Sequence, residues 1–225
     1  MIRRVPVCAI VPVRAWPEGK KRLALLLAPE ERGALAKTML ADVLDTLSRA
    51  PAVAEIVIVT DDADAAALAS DYRALVLPDV PGGGLNASLA GAAAWLAKAR
   101  PEAATLIMHA DLPAATPEDI EALVAEDADV VLARSGDGGT NAIFLRPGVS
   151  LPFAFGADSC ARHIAAARAA GFSVGLVDRS GLSLDLDRPE DVAAYLARAG
   201  SSRTLGLLHK FGVPARLRAR TGADR

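Results

Sequence analysis

The sequence predicts a single α/β domain built on a mainly parallel, doubly wound sheet. Short apolar segments alternate with helical patterns along most of the chain, the order expected of parallel strands joined by crossover helices. A length of 225 residues suits one domain of this class. Hydrophobic residues make up 52% of the chain and aromatic residues only 4%, so Ala, Val and Leu must fill most of the core.

The predicted strands are apolar and rich in β-branched residues, as strands covered on both faces usually are. In chain order they span residues 5–13, 55–60, 105–110, 129–134, 142–145 and 173–177. The predicted helices span residues 29–50, 63–71, 86–100, 117–126, 159–170 and 189–199. Pro29 and Pro117 each precede acidic residues, which is typical of a first helical turn.

Residues 1–200 are predicted to form the domain, and residues 201–225 a basic carboxyl-terminal extension. The extension has one acid, Asp224, and its basic residues are Arg203, Lys210, Arg216, Arg218, Arg220 and Arg225. One interpretation is a partly ordered surface segment. The other is a contact with a partner or a second copy of the chain.

Charge and cysteine content argue against several classes of protein. The 25 basic and 27 acidic side chains give a net charge of −2, whereas a nucleic-acid binder would normally carry a basic excess. The two cysteines, Cys8 and Cys160, do not indicate a disulfide framework and fit a reducing cytosol. The apolar segment 5–13 is too short to cross a bilayer and contains two prolines. We therefore expect a cytoplasmic protein without a membrane partner.

Charged and glycine-rich segments follow the predicted strands, at the sheet edge where α/β proteins bind ligands. They comprise residues 14–22, Asp61 and Asp62, Asp111, residues 136–141, and Asp185 with Asp187. This pattern is typical of a site for a phosphorylated ligand.

Three aspartates are the candidate metal ligands. Asp111 follows the strand at 105–110, where a buried carboxylate requires a positive partner. Asp185 and Asp187 are two residues apart, and in a strand both would point to the same face. Three carboxylates suit Mg²⁺, which proteins usually bind through a few carboxylates and substrate phosphates. The alternative is that Asp187 only caps the helix that begins near Pro189.

Two segments are candidates for anion binding. Gly136-Asp-Gly-Gly-Thr-Asn-Ala142 could direct several backbone amides at one anion, or could form a plain hairpin turn. The predicted helix start at Ser159, after Gly156, could bind a phosphate or carboxylate, or could be capped in the ordinary way by Asp158 or Ser159.

Basic side chains follow the first strand, as a triphosphate would require, although a basic cluster alone is usually solvated surface. They are Arg14, Lys20, Lys21 and Arg22. Neither a Walker A pattern nor a G-x-G-x-x-G fingerprint is present in this loop. Residues 82–86 are predicted to form a flexible turn into a helix, compatible with a contact to a base or ribose, although loop entropy is the simpler explanation of these glycines.

Taken in order, these segments resemble the guanylyltransferases of coenzyme F420 biosynthesis, the CofC/FbiD family. The matching segments are Ile10-Val-Pro-Val13, Lys20-Lys-Arg-Leu23, Val59-Thr-Asp61, Gly84-Leu-Asn86, Ala110-Asp-Leu-Pro113, Asp137-Gly-Gly-Thr-Asn-Ala142, Phe155-Gly-Ala-Asp-Ser159 and Leu184-Asp-Leu-Asp187.

The resemblance implies a fold similar to nucleotide-diphospho-sugar transferases and molybdenum-cofactor nucleotidyltransferases. It also implies transfer of GMP from GTP to a phosphorylated three-carbon acid, with release of pyrophosphate. The acid is 2-phospho-L-lactate, phosphoenolpyruvate or 3-phosphoglycerate. The implied ligands are Asp111, Asp185 and Asp187 for Mg²⁺; Thr140, Asn141, Gly156 and Ser159 for the acid; Arg14, Lys20 and Arg22 for the triphosphate; and Asp61 and Asn86 for guanosine. Lys20 and Arg22 would also stabilise the departing pyrophosphate.

Two departures from the family pattern affect the triphosphate loop. Arg14 stands where the family often has lysine, and the following loop contains Trp16 and Pro17. A molybdenum-cofactor type of nucleotidyltransferase and a catalytically silent regulatory subunit remain as alternatives. The acceptor acid, the base specificity, a homodimer and a downstream F420 transferase as partner are left open.

Overall fold

The computed structural model describes residues 5–14, 20–198 and 200–223. Within them, seven strands form one sheet in the order β3-β2-β1-β4-β6-β5-β7. The strands are β1 (Val7–Pro12), β2 (Val53–Val59), β3 (Leu75–Leu77), β4 (Ala104–Met108), β5 (Val130–Arg134), β6 (Thr140–Leu145) and β7 (Val174–Val177). Only β6 runs antiparallel, to both β4 and β5, so the predicted mainly parallel sheet is confirmed.

The helices that flank the sheet include all six that the sequence predicts. They are α1 (Pro29–Arg49), α2 (Ala63–Asp71), α3 (Gly84–Ala99), α4 (Pro117–Ala125), α5 (Ser159–Ala169), α6 (Ser180–Ser183), α7 (Pro189–Leu196), α8 (Arg203–Lys210) and α9 (Val213–Ala223). A 3₁₀ turn spans Lys21–Leu23. Across the described part of the chain, no helix has both the length and the apolar character that crossing a bilayer requires.

Alternating residues of the strands build the core on both faces of the sheet. Val11 packs on one face with Leu44 of α1, and Ile10 packs on the other with Leu89 of α3. The chain leaves β1 toward β2 on one side, and β4 lies on the other side. The loops after β1 and β4 therefore meet at the switch in strand order, where α/β sheets bind ligands.

The chain after Gly200 packs more closely against the rest of the domain than the sequence predicts. Instead of a partly ordered surface segment, α8 and α9 form a third core cluster, with Leu208 and Val213 fully buried. The same cluster contains Leu23 of the 3₁₀ turn and Leu186. The basic residues obscured this packing in the sequence, because they occupy the outer positions of short amphipathic helices.

Asp42 of α1 attaches α8 to the domain. Its carboxylate is 9% exposed and accepts the backbone N–H groups of Arg203 and Thr204 at 3.2 and 2.9 Å. Ser202 accepts the N–H of Leu205 at 3.0 Å. Three of the four free N–H groups at the start of α8 therefore have side-chain acceptors.

Replacing Asp42 with Ala is expected to lower the free energy of unfolding by about 2 kcal/mol, because a buried N–H group and a partly buried one lose a charged acceptor. Urea denaturation at neutral pH measures the change. Asp42→Asn keeps an acceptor oxygen and should lose less. Asp71→Ala, at the exposed end of α2, is the matched control. Equal stability of Asp42→Ala and wild type would contradict the capping role.

Candidate active site

A cavity of about 230 Å³ opens at the switch in strand order. Its walls come from the segments that follow β1 and β4 and from one face each of α1 and α3. The lining residues are Pro12, Val13, Arg14, Lys20, Ala36, Met39, Leu85, His109, Ala110 and Asp111. The fold thus brings together three predicted site residues that are distant in sequence: Arg14, Lys20 and Asp111.

Lys20 is the cationic centre of this site. Its Nζ lies 2.5 Å from Asp111 Oδ2 and 3.3 Å from Asp187 Oδ1, and its side chain is only 11% exposed. Arg22 Nη1 binds the other oxygen of Asp187 at 2.6 Å. Burial alone would lower the pKa of Lys20, but the charges of Asp111 and Asp187 raise it above its ordinary value. Burial alone would raise the pKa of Asp111, but Lys20 lowers it. Both groups are therefore charged at neutral pH.

The Asp185–Asp187 segment lies beside Asp111 but does not form a strand. It connects α6 to α7, and no neighbouring strand pairs with it among the described residues. Leu186 between the two acids is fully buried, and its N–H donates to the Asp111 carbonyl at 3.1 Å. This bond and the burial of Leu186 place the segment at the end of β4 without a sheet ladder.

Asn141 positions Asp185. Its Nδ2 donates to Asp185 Oδ1 at 3.1 Å and to the Leu182 carbonyl at 2.9 Å, so the amide orientation is determined by two acceptors. Burial, followed by the nearby charge of Asp111, raises the pKa of Asp185. The two carboxylates are therefore close enough to repel each other. The predicted contact of Asn141 with the acceptor acid stays a prediction.

The three aspartates do not form a ready metal cluster. Among the described residues, no group of three or more His, Cys, Asp or Glu side chains is arranged to hold a metal ion. The Lys20 ammonium contacts both Asp111 and Asp187, and its positive charge explains why these acids are not arranged around a metal ion. However, Asp111 Oδ1 is buried and has no hydrogen-bond partner there, and Asp185 is near it. This oxygen and the Asp111–Asp185 repulsion fit a cation shared by these two acids.

Thr140, Ser159 and His163 form a buried polar cluster at the start of α5. His163 Nε2 accepts the Ala154 N–H at 2.9 Å, so a neutral ring carries its proton on Nδ1 and donates it to Thr140 Oγ1 at 3.0 Å. Ser159 Oγ also donates to Thr140 Oγ1, at 3.2 Å. Thr140 therefore accepts twice, and its own hydroxyl proton remains to be donated to another group. Its predicted contact with the acid, like that of Ser159, stays a prediction.

Burial, followed by the charges of Arg162 and His109, lowers the pKa of His163 from 6.5 to about 4. The unfolded chain then binds this proton near pH 6.5 and the folded protein only near pH 4, so stability is lost as the pH falls between these values. We expect the loss from this residue to reach about 3 kcal/mol by pH 4.

Urea denaturation of wild type and His163→Gln at pH 7.5 and pH 4.5 measures this effect. The variant cannot titrate at this position, so it should lose less stability on acidification. Equal losses in both proteins would show that His163 does not cause the pH dependence.

Asp158 does not cap the start of α5 with its side chain. That residue has a φ of 53° and makes no side-chain capping bond. Gly156 before it has a φ of +125°, a backbone conformation that glycine adopts without strain. The Cys160 N–H donates to the Gly138 carbonyl at 3.4 Å, which joins the glycine-rich turn to the 154–159 loop.

The two residues predicted near guanosine have bonds within the protein. Asn86 binds the backbone of Phe155 on both sides, accepting from its N–H at 2.7 Å and donating to its carbonyl at 3.2 Å. Asp61 accepts the Asp79 N–H at 3.0 Å. Their contacts with a nucleotide stay predictions. Trp16 and Pro17 lie outside the described residues.

His109 is a residue of the site that the sequence analysis did not single out. It follows β4 directly, lines the cavity and precedes Asp111 by two positions. Burial is the main cause that lowers its pKa. The available signal was a polar residue at the end of a buried strand, two residues before a candidate ligand.

Sequence comparison identifies this chain as a nucleotidyltransferase. The chain belongs to the family described as guanylyl transferase CofC like, whose profile matches residues 7–223. It is 40% identical over 200 residues to a 3-phospho-D-glycerate guanylyltransferase of Phenylobacterium zucineum, covering 87% of this chain and 91% of that protein. It is 40% identical over 201 residues to a phosphoenolpyruvate guanylyltransferase of Thermomonospora curvata, covering 88% and 86%.

Solved structures show the same fold at lower sequence identity. A nucleotide-diphospho-sugar transferase of Desulfovibrio desulfuricans G20 aligns with a TM-score of 0.79 at 20% identity, covering 95% of this chain and 97% of that chain. A 4-diphosphocytidyl-2C-methyl-D-erythritol synthase aligns with a TM-score of 0.59 at 16% identity, covering 84% and 97%. The predicted similarity to nucleotide-diphospho-sugar transferases is confirmed.

Proposed function

We propose that this enzyme transfers GMP from GTP to a phosphorylated three-carbon acid and releases pyrophosphate, as a step of coenzyme F420 biosynthesis. The observation that carries the proposal is the site at the switch point, where Lys20 and Arg22 lie against Asp111 and Asp187. The substrates named for the two relatives support phosphoenolpyruvate or 3-phosphoglycerate as the acid.

The reaction forms one P–O bond and breaks another. A phosphate monoester has a second pKa of about 6, so the acid is largely a dianion at neutral pH and needs no general base. One of its phosphate oxygens attacks the α-phosphorus of GTP in line, and the bond to the β-phosphate oxygen breaks. Lys20, with Arg14 on the same side of the cavity, neutralises charge on the leaving pyrophosphate.

Asp111 and Asp185 are the residues that would hold Mg²⁺, with Asp187 as the third acid of the set. When bound, the ion neutralises charge on the phosphates and orients the attacking and leaving groups. Asn141 keeps Asp185 in place through the 3.1 Å bond to its carboxylate.

The acid would bind at the start of α5. Thr140 begins β6, which lies on the opposite side of β4 from β1. Its free hydroxyl proton and the exposed backbone at Gly156 suit a second anion. The triphosphate would then bind beside the β1 loop and the acid beside the 154–159 loop, with Asp111 between them.

Pyrophosphate release with GTP and Mg²⁺ tests the function, with 2-phospho-L-lactate, phosphoenolpyruvate and 3-phosphoglycerate run in parallel. We expect release with at least one acid, dependent on both substrates, and weaker release when CTP or ATP replaces GTP. A folded protein that binds GTP but releases no pyrophosphate with any of the three acids would contradict the proposal. Such a result would favour the regulatory alternative.

A further inference from the structure

His109 stands between the two halves of the proposed site. Its backbone N–H donates to the Asn141 carbonyl at 3.0 Å, which fixes its position against β6. Its ring packs on Phe155, with centroids 5.1 Å apart and planes tilted by 41°. Phe155 leads directly into Gly156. His109 thus contacts the loop proposed for the acid while lining the cavity beside Asp111.

The two histidines of this region differ in how their nitrogens are used. Both ring nitrogens of His163 have partners within the protein, at 2.9 and 3.0 Å, so its role is structural. Nε2 of His109 is buried and has no hydrogen-bond partner among the described residues. A buried polar atom without a partner costs stability, and proteins usually retain one where function uses it.

The position of His109 indicates which substrate supplies the missing partner. Arg14 and Lys20, which the triphosphate requires, come from the β1 side of the cavity. His109 comes from the β4 side and touches the loop that begins α5. Two residues further along, Asp111 also has a buried oxygen without a partner. A phosphate bound to Asp111 through a cation would therefore lie close to His109.

We propose that Nε2 of His109 donates a hydrogen bond to the phosphate of the acceptor acid and so positions the attacking oxygen. The inference rests on the proposed function, because it assigns a residue to one substrate of that reaction. A hydrogen bond to a charged oxygen is stronger than one between neutral groups, so it can hold the phosphate of the acid in one orientation.

Two substitutions separate hydrogen bonding from packing. His109→Phe keeps an aromatic ring against Phe155 but removes the nitrogen, whereas His109→Gln loses the ring but places an amide N–H near the position of Nε2. We expect His109→Phe to raise the KM for the acid by about tenfold or more with the KM for GTP unchanged. His109→Gln should recover most of the loss. His209→Phe, on the exposed side of α8, is the surface control.

Thermal unfolding without ligands provides the second readout. His109→Phe should melt at or above the wild-type temperature, because it removes a buried atom that lacks a partner. A clearly lower melting temperature, an unchanged KM for the acid, or equal increases in both KM values would each overturn the inference while leaving the proposed function intact.

Wild-type protein that releases no pyrophosphate would instead refute the proposed function. Calorimetric binding of the acid, with Mg²⁺ and a non-hydrolysable GTP analogue present, would then decide the role of His109. An affinity for the acid that is lower in His109→Phe and largely recovered in His109→Gln would support the contact with the acid. Absence of acid binding to wild type would overturn it together with the function.

Discussion

Asp111→Asn is expected to lower the rate of pyrophosphate release by a factor on the order of 10³ or more, without unfolding the protein. The substitution keeps the size of the side chain and an acceptor oxygen for Lys20, whose Nζ lies 2.5 Å from the carboxylate. It removes the negative charge with which Asp111, together with Asp185, would bind a cation. A neutral amide oxygen is a weaker ligand for Mg²⁺ than a carboxylate. Steady-state release at saturating GTP and acid measures the effect.

Asp127→Asn is the matched control. Asp127 is fully exposed, and its ion pair with Arg146, at 3.7 Å, lies at the surface. It should retain the wild-type rate. Circular dichroism and thermal unfolding of Asp111→Asn establish that the fold is intact. A folded Asp111→Asn variant with the wild-type rate would remove Asp111 from the mechanism.

Lys20→Met is expected to lower turnover by about 10²- to 10³-fold and to destabilise the protein as well. Removing one member of a fully buried ion pair costs about 3–5 kcal/mol. Because the Asp111 side chain is 23% exposed, we expect a loss on the order of 2 kcal/mol at neutral pH. Added Mg²⁺ should restore part of this stability, because it supplies positive charge to the same carboxylates.

The stability difference between wild type and Lys20→Met should depend on pH in a defined direction. Lys20 lowers the pKa of Asp111 below its ordinary value of 3.8, so the pair stabilises the folded state fully above that pH. The contribution is lost as the pH falls through the lower folded-state pKa. Denaturation between pH 2 and 7 measures it.

Lys37→Met provides the comparison, because Lys37 is 49% exposed and lies 3.8 Å from the exposed Asp64. Its loss should change stability by less than about 1 kcal/mol, as is usual for surface pairs. A Lys20→Met variant as stable as Lys37→Met at every pH would show that the Lys20–Asp111 pair does not hold the site together.

The sequence predicted the architecture well because the strands have strong local signals. Runs such as the one that became β1 are apolar, β-branched and bounded by polar residues, so the alternation of strands and helices could be read directly. The three-residue strand β3 was missed, since Leu75 and Val76 are partly exposed and it is held only by pairing with β2. Helices α8 and α9 were missed because their burial depends on α1 and the 3₁₀ turn, which are distant in sequence.

For the site, the rule that ligands bind at strand ends was sufficient to select Arg14, Lys20 and Asp111. It could not predict that one ammonium contacts Asp111 and Asp187 together, since that depends on side-chain packing after the chain has folded. Nor could it separate Asp185 from Asp187. The buried Leu186 and the amide of Asn141 hold the two acids in different environments.

The third core cluster links the stability of the chain's end to that of the active site. Leu23 ends the 3₁₀ turn that contains Arg22 and follows Lys20, and Leu186 separates the two acids. Both leucines are packed with Leu208 of α8. Segments that share buried contacts in this way open cooperatively, with a common opening free energy. The backbone amides of Leu23 and Leu186 should therefore exchange with solvent at the rate set by detachment of α8. Lys20, Arg22, Asp185 and Asp187 would then keep their positions only while the carboxyl-terminal helices stay packed against the domain.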